Sequence, residues 1–346
     1  MQSLVCVLLV FVAALSLGAE LRVDCGKQAG TIRALHGGNC GPVNYGEMVD
    51  VSAYHKEVGI PYIRLHDCHW PVVDVVDMHV IFPDLNADPS KPESYNFERT
   101  DDYLQSIVKT GAKIIFRLGE SIEHTKKKLY VHPPKDYEKW AAACVGIVRH
   151  YNDGWANGFK LGIKYWEIWN EPEVRPQMWS GTDEDYLRLY GIASKAIKAR
   201  FPDVFVGGPG ASDAGNLKNG TYQPPKFGVK LLEYCKLEGA PLDFFSWHRY
   251  TPNPQDYIAL AKGVRGMLDR YGFTKTESQL NEWNYLPGND WGPMMLQGQG
   301  PRREKMYDLI GGAQTGKVTV DGLDLSEELK APAVGLVKIR QARAGE

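Results

Sequence analysis

Short apolar runs alternate along this chain with longer stretches in which hydrophobic residues return every three or four positions. The runs are residues 31–35, 62–65, 113–117, 163–169, 204–207, 244–247 and 278–281, each of strand length and rich in β-branched or aromatic side chains. Between them Tyr137, Trp140, Ala141, Cys144, Val148 and Tyr151 mark one face of a helix. So do Tyr186, Leu189, Tyr190 and Ala193, with Thr182 as an N-cap and Asp183 and Glu184 in the first turn. Further helices are expected over residues 97–110, 227–237 and 257–271. Strands separated by about 30–50 residues, with helices between, mean repeated βα units and a parallel sheet. Right-handed crossovers leave two α/β architectures, a (β/α)8 barrel or a doubly wound sheet. No G-x-G-x-x-G follows the first strand, which favours the barrel.

In such barrels the chemistry sits at the C-terminal ends of the strands. Those ends read His36-Gly37-Gly38-Asn39, Arg64-Leu65-His66-Asp67, Arg117-Leu118-Gly119-Glu120, Trp169-Asn170-Glu171-Pro172, His248-Arg249-Tyr250 and Asn281-Glu282-Trp283. One polar strand end usually just meets water. Six in register imply a shared polar cleft. Glu171 and Glu282 each follow an asparagine at such an end. Glycoside hydrolysis needs two carboxyls flanking the scissile bond, and an amide beside the acid can hold the sugar 2-OH. The structural alternative for either glutamate alone is an ion pair with a neighbouring Arg or Lys. Glu120 could touch substrate, but its simpler reading is a structural pair with Lys126 or Arg117. The Lys126-Lys127-Lys128 run reads as a solvated loop, and Glu123 has no assigned role.

Composition narrows the class. Of 346 residues, 43% are hydrophobic and 24% charged, which excludes disorder and collagen-like repeats for the bulk of the chain. Forty basic against 42 acidic residues give a net charge of −2, so no nucleic-acid partner is expected. The 9 Trp, 18 Tyr and 11 Phe suit a large core and a sugar cleft alike, and decide nothing alone. Residues 4–17 form an apolar run closed by Gly18 and Ala19, shorter than the about 20 residues of a membrane span. It reads as a signal peptide over residues 1–19, hence a secreted protein with no membrane attachment after cleavage; an uncleaved anchor is the alternative. Five cysteines would then remain, Cys25, Cys40, Cys68, Cys144 and Cys235, an odd set without a disulfide framework or a CxxC pair. Buried free thiols are the simplest reading, although Cys40 and Cys68 could meet if their strands are neighbours. Asn219-Gly220-Thr221 is the single N-x-S/T sequon. His66 and His69 lack a metal-binding context, so no metal or other cofactor is expected.

The segment Tyr165-Trp166-Glu167-Ile168-Trp169-Asn170-Glu171-Pro172 resembles the strand-four signature of the retaining glycoside hydrolase clan A. The opening over residues 36–42, Arg64 to Asp67 and His248 to Tyr250 most resemble glycoside hydrolase family 39, which contains β-xylosidases and α-L-iduronidases. The resemblance spans roughly residues 30–312. It implies Glu171 as general acid/base, Glu282 as nucleophile and Asn170 on the 2-OH of the sugar in the −1 subsite. It also implies that Arg64 keeps Glu282 ionised, that His248 and Tyr250 lie near the nucleophile, and that His66 and Trp283 line the −1 site. The implied substrate is an oligosaccharide or polysaccharide-derived glycoside. β-Xylosidase activity is expected first, α-L-iduronidase or α-L-arabinofuranosidase activity next, and an inactive carbohydrate-binding relative is the non-enzymatic alternative. Retention requires carboxyls about 5–5.5 Å apart, inversion about 6.5–9.5 Å. Oligomeric state is not readable from the pattern.

The tail departs from the family pattern. Only 64 residues follow Glu282. Residues 302–310 can form helix seven, while 317–321 and 334–339 read as two strands around 323–330. These resemble the closing strands of an accessory β-domain. The expected organisation is a catalytic barrel over residues 20–313, incomplete at strand eight, and a short β-rich tail over 314–346. The alternative is that residues 334–339 insert as strand eight.

Overall fold

The structure, a computed structural model, describes residues 34–44, 49–70 and 74–285, together with Leu21–Val23 and Leu323–Leu325. Seven parallel strands follow one another in sequence order: β1 (Gly37–Asn39), β2 (Tyr62–Leu65), β3 (Lys113–Leu118), β4 (Tyr165–Ile168), β5 (Phe205–Ala211), β6 (Phe244–Thr251) and β7 (Glu277–Tyr285). Each crossover carries a helix: α1 (Ser52–Val58), α2 (Glu98–Val108), α3 (Tyr137–Asn152), α4 (Asp183–Arg200), α5 (Lys226–Glu238) and α6 (Gln255–Arg270). The sheet curls until its two edges nearly meet, where the Asn39 side chain on β1 donates to the Asn281 carbonyl on β7 at 3.2 Å. This is the wall of a (β/α)8-type barrel, with seven strands among the described residues.

Local chemistry explains the boundaries. Thr182 caps α4 in a reciprocal capping box with Asp185, and Asp136 caps α3 through Lys139 N. Strand β4 is shorter than the apolar run over 163–169. Ile163 is held at both its N–H and carbonyl by the Asn152 side chain, and Trp169 turns out of the strand at φ 70°. The first strand is displaced from the expected 31–35 to Gly37–Asn39; residues 31–33 lie outside the described residues and Leu35 is exposed. A glycine suits that strand because a Cβ at position 37 would sit 2.8 Å from the Tyr62 carbonyl. Strands β6 and β7 run past their apolar segments, so His248, Tyr250 and Glu282 are strand residues.

Side chains fill the barrel in layers. Tyr62, Ile115, Tyr165, Phe205 and Phe244 plug the N-terminal end as one apolar cluster. Two positions further along β2, β3, β4 and β6, facing the same way, stand Arg64, Arg117, Glu167 and Ser246, all buried. Arg64 and Glu167 are 2% and 0% exposed and meet across the interior at 2.7 Å. A second, larger core lies between the sheet and the helices, with Trp140, Cys144, Ile147 and Tyr151 of α3 among its members.

The contacts divide the chain into residues 34–290 and a second unit of residues 1–33 and 291–346. In the second unit Leu323–Leu325 pairs antiparallel with Leu21–Val23. The alternation Leu323-Asp324-Leu325 suits a strand, although the sequence reading placed this segment between strands. The segment read as a signal peptide, helix seven at 302–310 and the tail strands at 317–321 and 334–339 lie outside the described residues. Among the described residues no helix is long and apolar enough to cross a membrane.

Replacing Glu167 by Ala strands a buried guanidinium. The loss should be about 3–5 kcal/mol in denaturant unfolding. A loss near zero would mean that the pair does not support the barrel.

Candidate active site

Arg64 occupies the centre of the barrel mouth. Its Nε donates to Glu167 Oε2 at 2.7 Å, and its two terminal nitrogens reach Asn170 Oδ1 (2.5 Å), Glu282 Oε2 (3.2 Å) and Asn39 Oδ1 (3.4 Å). Burial opposes its charge, but Glu167 and Glu282 outweigh burial and its pKa is raised. A guanidinium only donates, so the Asn170 atom facing it must be the oxygen. The Asn170 amide nitrogen is thereby turned elsewhere, where it is buried without a protein partner.

Glu282 is surrounded by donors. Tyr250 OH donates to Oε1 at 2.6 Å, while Arg64 and His248 Nδ1 (3.6 Å) approach Oε2. Burial alone would raise its pKa; His248, Arg64 and the Tyr250 hydroxyl together hold it below the ordinary carboxylate value. Tyr250 is itself pushed up, by burial and then by Glu282, and stays a protonated donor. Glu171 has a different setting. His248 Nδ1 lies 2.7 Å from Glu171 Oε1, and one oxygen of each glutamate and one His248 nitrogen lie within 4.8 Å of one another.

Backbone irregularity aims both carboxylates. On β7 the pairing with β6 slips between Trp247 and His248, so that Asn281 becomes an extra residue. Asn281 and Glu282 consequently both face the interior, Asn281 donating to Glu167 Oε1 at 2.7 Å. After β4, Trp169 (φ 70°) and Glu171 (φ 44°) both adopt left-handed backbone, at a cost of about 1–3 kcal/mol each. Trp169 N donates to Leu118 O and its indole to Met178 O, both at 2.7 Å, and the ring packs against Trp179. Glu171 N is held by the carbonyls of Pro209 and Gly210 at 3.1 Å. Only glycine fits at 210, where φ is 60° and a Cβ would lie 2.9 Å from Arg64 and 3.0 Å from Asn170.

The structure thus brings together Arg64, His66, Asn170, Glu171, His248, Tyr250 and Glu282. His66 is buried, its Nδ1 without a partner, and its pKa is driven well below normal by burial and then by Arg64, Arg117 and His248, so it is neutral. Trp283 is not in the cluster. It follows the inward-facing Glu282 and therefore points out of the barrel, edge-on to Tyr257 of α6 and 60% exposed. The expectation that it lines the −1 site is corrected by this alternation. Glu120 does pair structurally, but with His79 (Nδ1 at 2.6 Å, N–H at 3.1 Å) rather than with Lys126 or Arg117. Arg117 is taken by Asp77. Glu123 accepts loop N–H groups from Leu129 and Tyr130, and Lys128 Nζ donates to the Glu123 carbonyl.

Glu167, Asn281 and Asn39 are the functional neighbours that sequence reading left without a role. The available signal was an acid on the same strand face as Tyr165, inside an otherwise apolar run. Asp77, His79 and Glu120 present atoms within 4.8 Å of one another, a spacing a cation could use. Their pairing with Arg117 and with each other already balances them.

A family model described as glycosyl hydrolases family 39 matches residues 37–272, ending ten residues before Glu282. A beta-xylosidase of Caldicellulosiruptor saccharolyticus is 31% identical over 256 residues, 67% of this chain and 47% of that protein. A beta-xylosidase of Geobacillus stearothermophilus is 24% identical over 267 residues, 68% and 49% respectively. The crystal structure of a glucosidase from Croceicoccus marinus superposes with a TM-score of 0.65 at 30% identity, covering 75% of this chain and 52% of that one. The chain spans about half the length of the curated relatives it matches.

Glu173 supplies a pH test of this mouth. Its Oε1 accepts from Ser212 Oγ and Asp213 N, its Oε2 is unpartnered, and burial raises its pKa to about 7. A folded pKa above the unfolded one gives stability that is full below the unfolded value and lost as pH rises through about 7. Glu173→Gln should therefore gain stability relative to wild type between pH 4 and pH 8. Parallel melting-temperature curves for the two proteins would contradict this assignment.

Proposed function

The chain belongs to glycosyl hydrolases family 39, and from that premise we propose that it hydrolyses β-xylosides with retention of configuration, as an exported enzyme. One observation carries the mechanism. Two carboxyls approach within 4.8 Å, one encircled by donors and the other beside a single imidazole. So close an approach of one oxygen from each favours the about 5–5.5 Å arrangement of direct attack over the about 6.5–9.5 Å arrangement that admits a water.

In this reading Glu171 protonates the glycosidic oxygen while the Glu282 carboxylate attacks the anomeric carbon. The glycosyl–oxygen bond to the leaving group breaks and a glycosyl ester of Glu282 forms. Esterification removes the charge on Glu282. Glu171, now a carboxylate, takes a proton from water, and that water cleaves the ester. The free Asn170 amide donates to the sugar 2-OH, a contact that strengthens as positive charge develops at the anomeric carbon. His66, neutral and with an open ring nitrogen, offers a second polar contact.

The likeness to beta-xylosidases supports a xyloside; the glucosidase at 30% identity supports a glucoside as the second reading. A uronic acid fits less well. Around this mouth the two fully buried guanidiniums, Arg64 and Arg117, are already engaged by Glu167 and Asp77, which leaves neither open to a substrate carboxylate. The apolar run over residues 4–17 supports export.

The test is hydrolysis of aryl β-xyloside, β-glucoside, α-arabinofuranoside and α-iduronide by protein collected from the medium, its N-terminus read by mass. The reading expects turnover of the β-xyloside, a start near residue 20, and losses of about 10²–10⁴-fold in Glu171→Gln and more in Glu282→Gln. Silence across the panel from a cooperatively folded protein would favour a binding role. Turnover unchanged in Glu282→Gln would remove Glu282 from the mechanism.

A further inference from the structure

We propose that Cys40 and Cys68 are a paired thiol site that closes to a disulfide on oxidation, stapling β1 to the segment that follows β2. Both thiols converge on one atom, the His66 carbonyl oxygen, with Cys40 Sγ at 3.0 Å and Cys68 Sγ at 3.6 Å. Cys40 and the Tyr103 hydroxyl both lie near enough to the Cys68 thiol to act on its proton. Cys40 follows β1 directly, and its N–H donates to the Arg64 carbonyl on β2 at 2.9 Å, so the two segments are already in register. Two sulfurs on neighbouring segments that share one acceptor lie close enough for rotation about their Cα–Cβ bonds to bring them together.

The backbone at Cys40 points the same way. Its φ is 63°, left-handed, a conformation that disfavours any side chain and that Gly41 next to it would adopt freely. A cysteine held there at a steric cost, with its sulfur on the carbonyl that a second cysteine also approaches, is a feature that packing alone does not require. Cys144 and Cys235 offer a contrast: each is buried within a helix, α3 and α5, in ordinary helical backbone.

The two thiols differ in access. Cys40 is partly exposed and Cys68 is fully buried, with burial pushing its thiol well above the ordinary value. Cys40 therefore meets a small disulfide oxidant first. Its thiolate attacks one sulfur of the oxidant and forms a mixed disulfide. Cys68 then attacks Cys40 Sγ, expels the oxidant's second thiolate and gives up its proton to it. Two S–H bonds are lost, one S–S bond forms, and the oxidant leaves as a dithiol carrying both electrons and both protons.

The staple would lie where the wall needs it. Among the described residues β1 is three residues long and pairs through its backbone on one side only. Yet it carries Asn39, which touches both Arg64 and the Asn281 carbonyl. The bond would enclose the loop from residue 40 to 68 and restrict the unfolded chain.

The test treats the native full-length protein with oxidised dithiothreitol, then alkylates it under denaturing conditions and maps peptides by mass. The expected product is one cross-linked peptide pair joining Cys40 to Cys68, lighter by two hydrogens, with Cys144 and Cys235 alkylated. The melting temperature should rise by several degrees, and reduction should reverse both changes. Cys68→Ala should lose the rise. If that variant does not fold, the wild-type peptide map decides alone. Free Cys40 and Cys68 after oxidation, an oxidant adduct that stops on Cys40, or a bond from either to Cys25 would each overturn the proposal. None of these readouts uses glycosidase activity.

Discussion

A guanidinium buried in the middle of a β-barrel must be neutralised and fully hydrogen-bonded, and Arg64 is the group around which this interior is built. Water is excluded below it by the aromatic plug of Tyr62, Tyr165 and Phe244. Its donors must therefore end on protein acceptors, and the four acceptors come from three strands: Asn39 of β1, Glu167 of β4 with Asn170 just after it, and Glu282 of β7. Each contact also constrains the acceptor. Asn170 has its amide turned by the guanidinium, and Glu282 is held ionised beside it. One buried charge thus links the stability of the barrel to the chemistry of its mouth.

Glu167 makes that arrangement tolerable. It lies on the same strand as the turn that carries Glu171, and it grips both Arg64 and Asn281, the residue before Glu282. Glu282 is therefore positioned from beneath by that acid, through Arg64 and through Asn281. The irregular backbone adds the final aim. A bulge on β7 turns two successive residues inward, and left-handed residues after β4 lift Glu171 toward the gap. The left-handed residues are compensated by the packing of Trp169 and by the carbonyls of Pro209 and Gly210, and the bulge by the hydrogen bond from Asn281 to Glu167.

Much of this was legible in the order of residues, for identifiable reasons. Strand β2 coincides with its apolar run because the run is bounded by Pro61 and by the polar His66-Asp67. The α4 cap was readable because Thr182 and the acids after it act locally. Glu171 and Glu282 stood out because charged residues at successive strand ends converge in a parallel barrel. What escaped depended on contacts distant in sequence. The bulge at Asn281 has no local signature, so the faces of β7 beyond it could not be assigned, and Trp283 was placed inside when it lies outside. Glu167 was passed over because an acid within an apolar strand has meaning only once its partner on β2, 103 residues away, is known. Glu120 was paired with nearby lysine or arginine, whereas its partner His79 comes from a short helix, Met78–Ile81, in the crossover after β2. The strand-eight region lies outside the described residues.

The central claim is that Glu282, kept ionised by His248, Arg64 and Tyr250, attacks the sugar directly. The most direct measurement is trapping with a 2-deoxy-2-fluoro-β-xyloside bearing an activated leaving group, followed by peptide mass mapping. The account predicts one fluoroxylosyl group per chain, on Glu282, formed with loss of activity and released slowly as activity returns. A label on another residue, or steady turnover of the reagent without any covalent adduct, would contradict it.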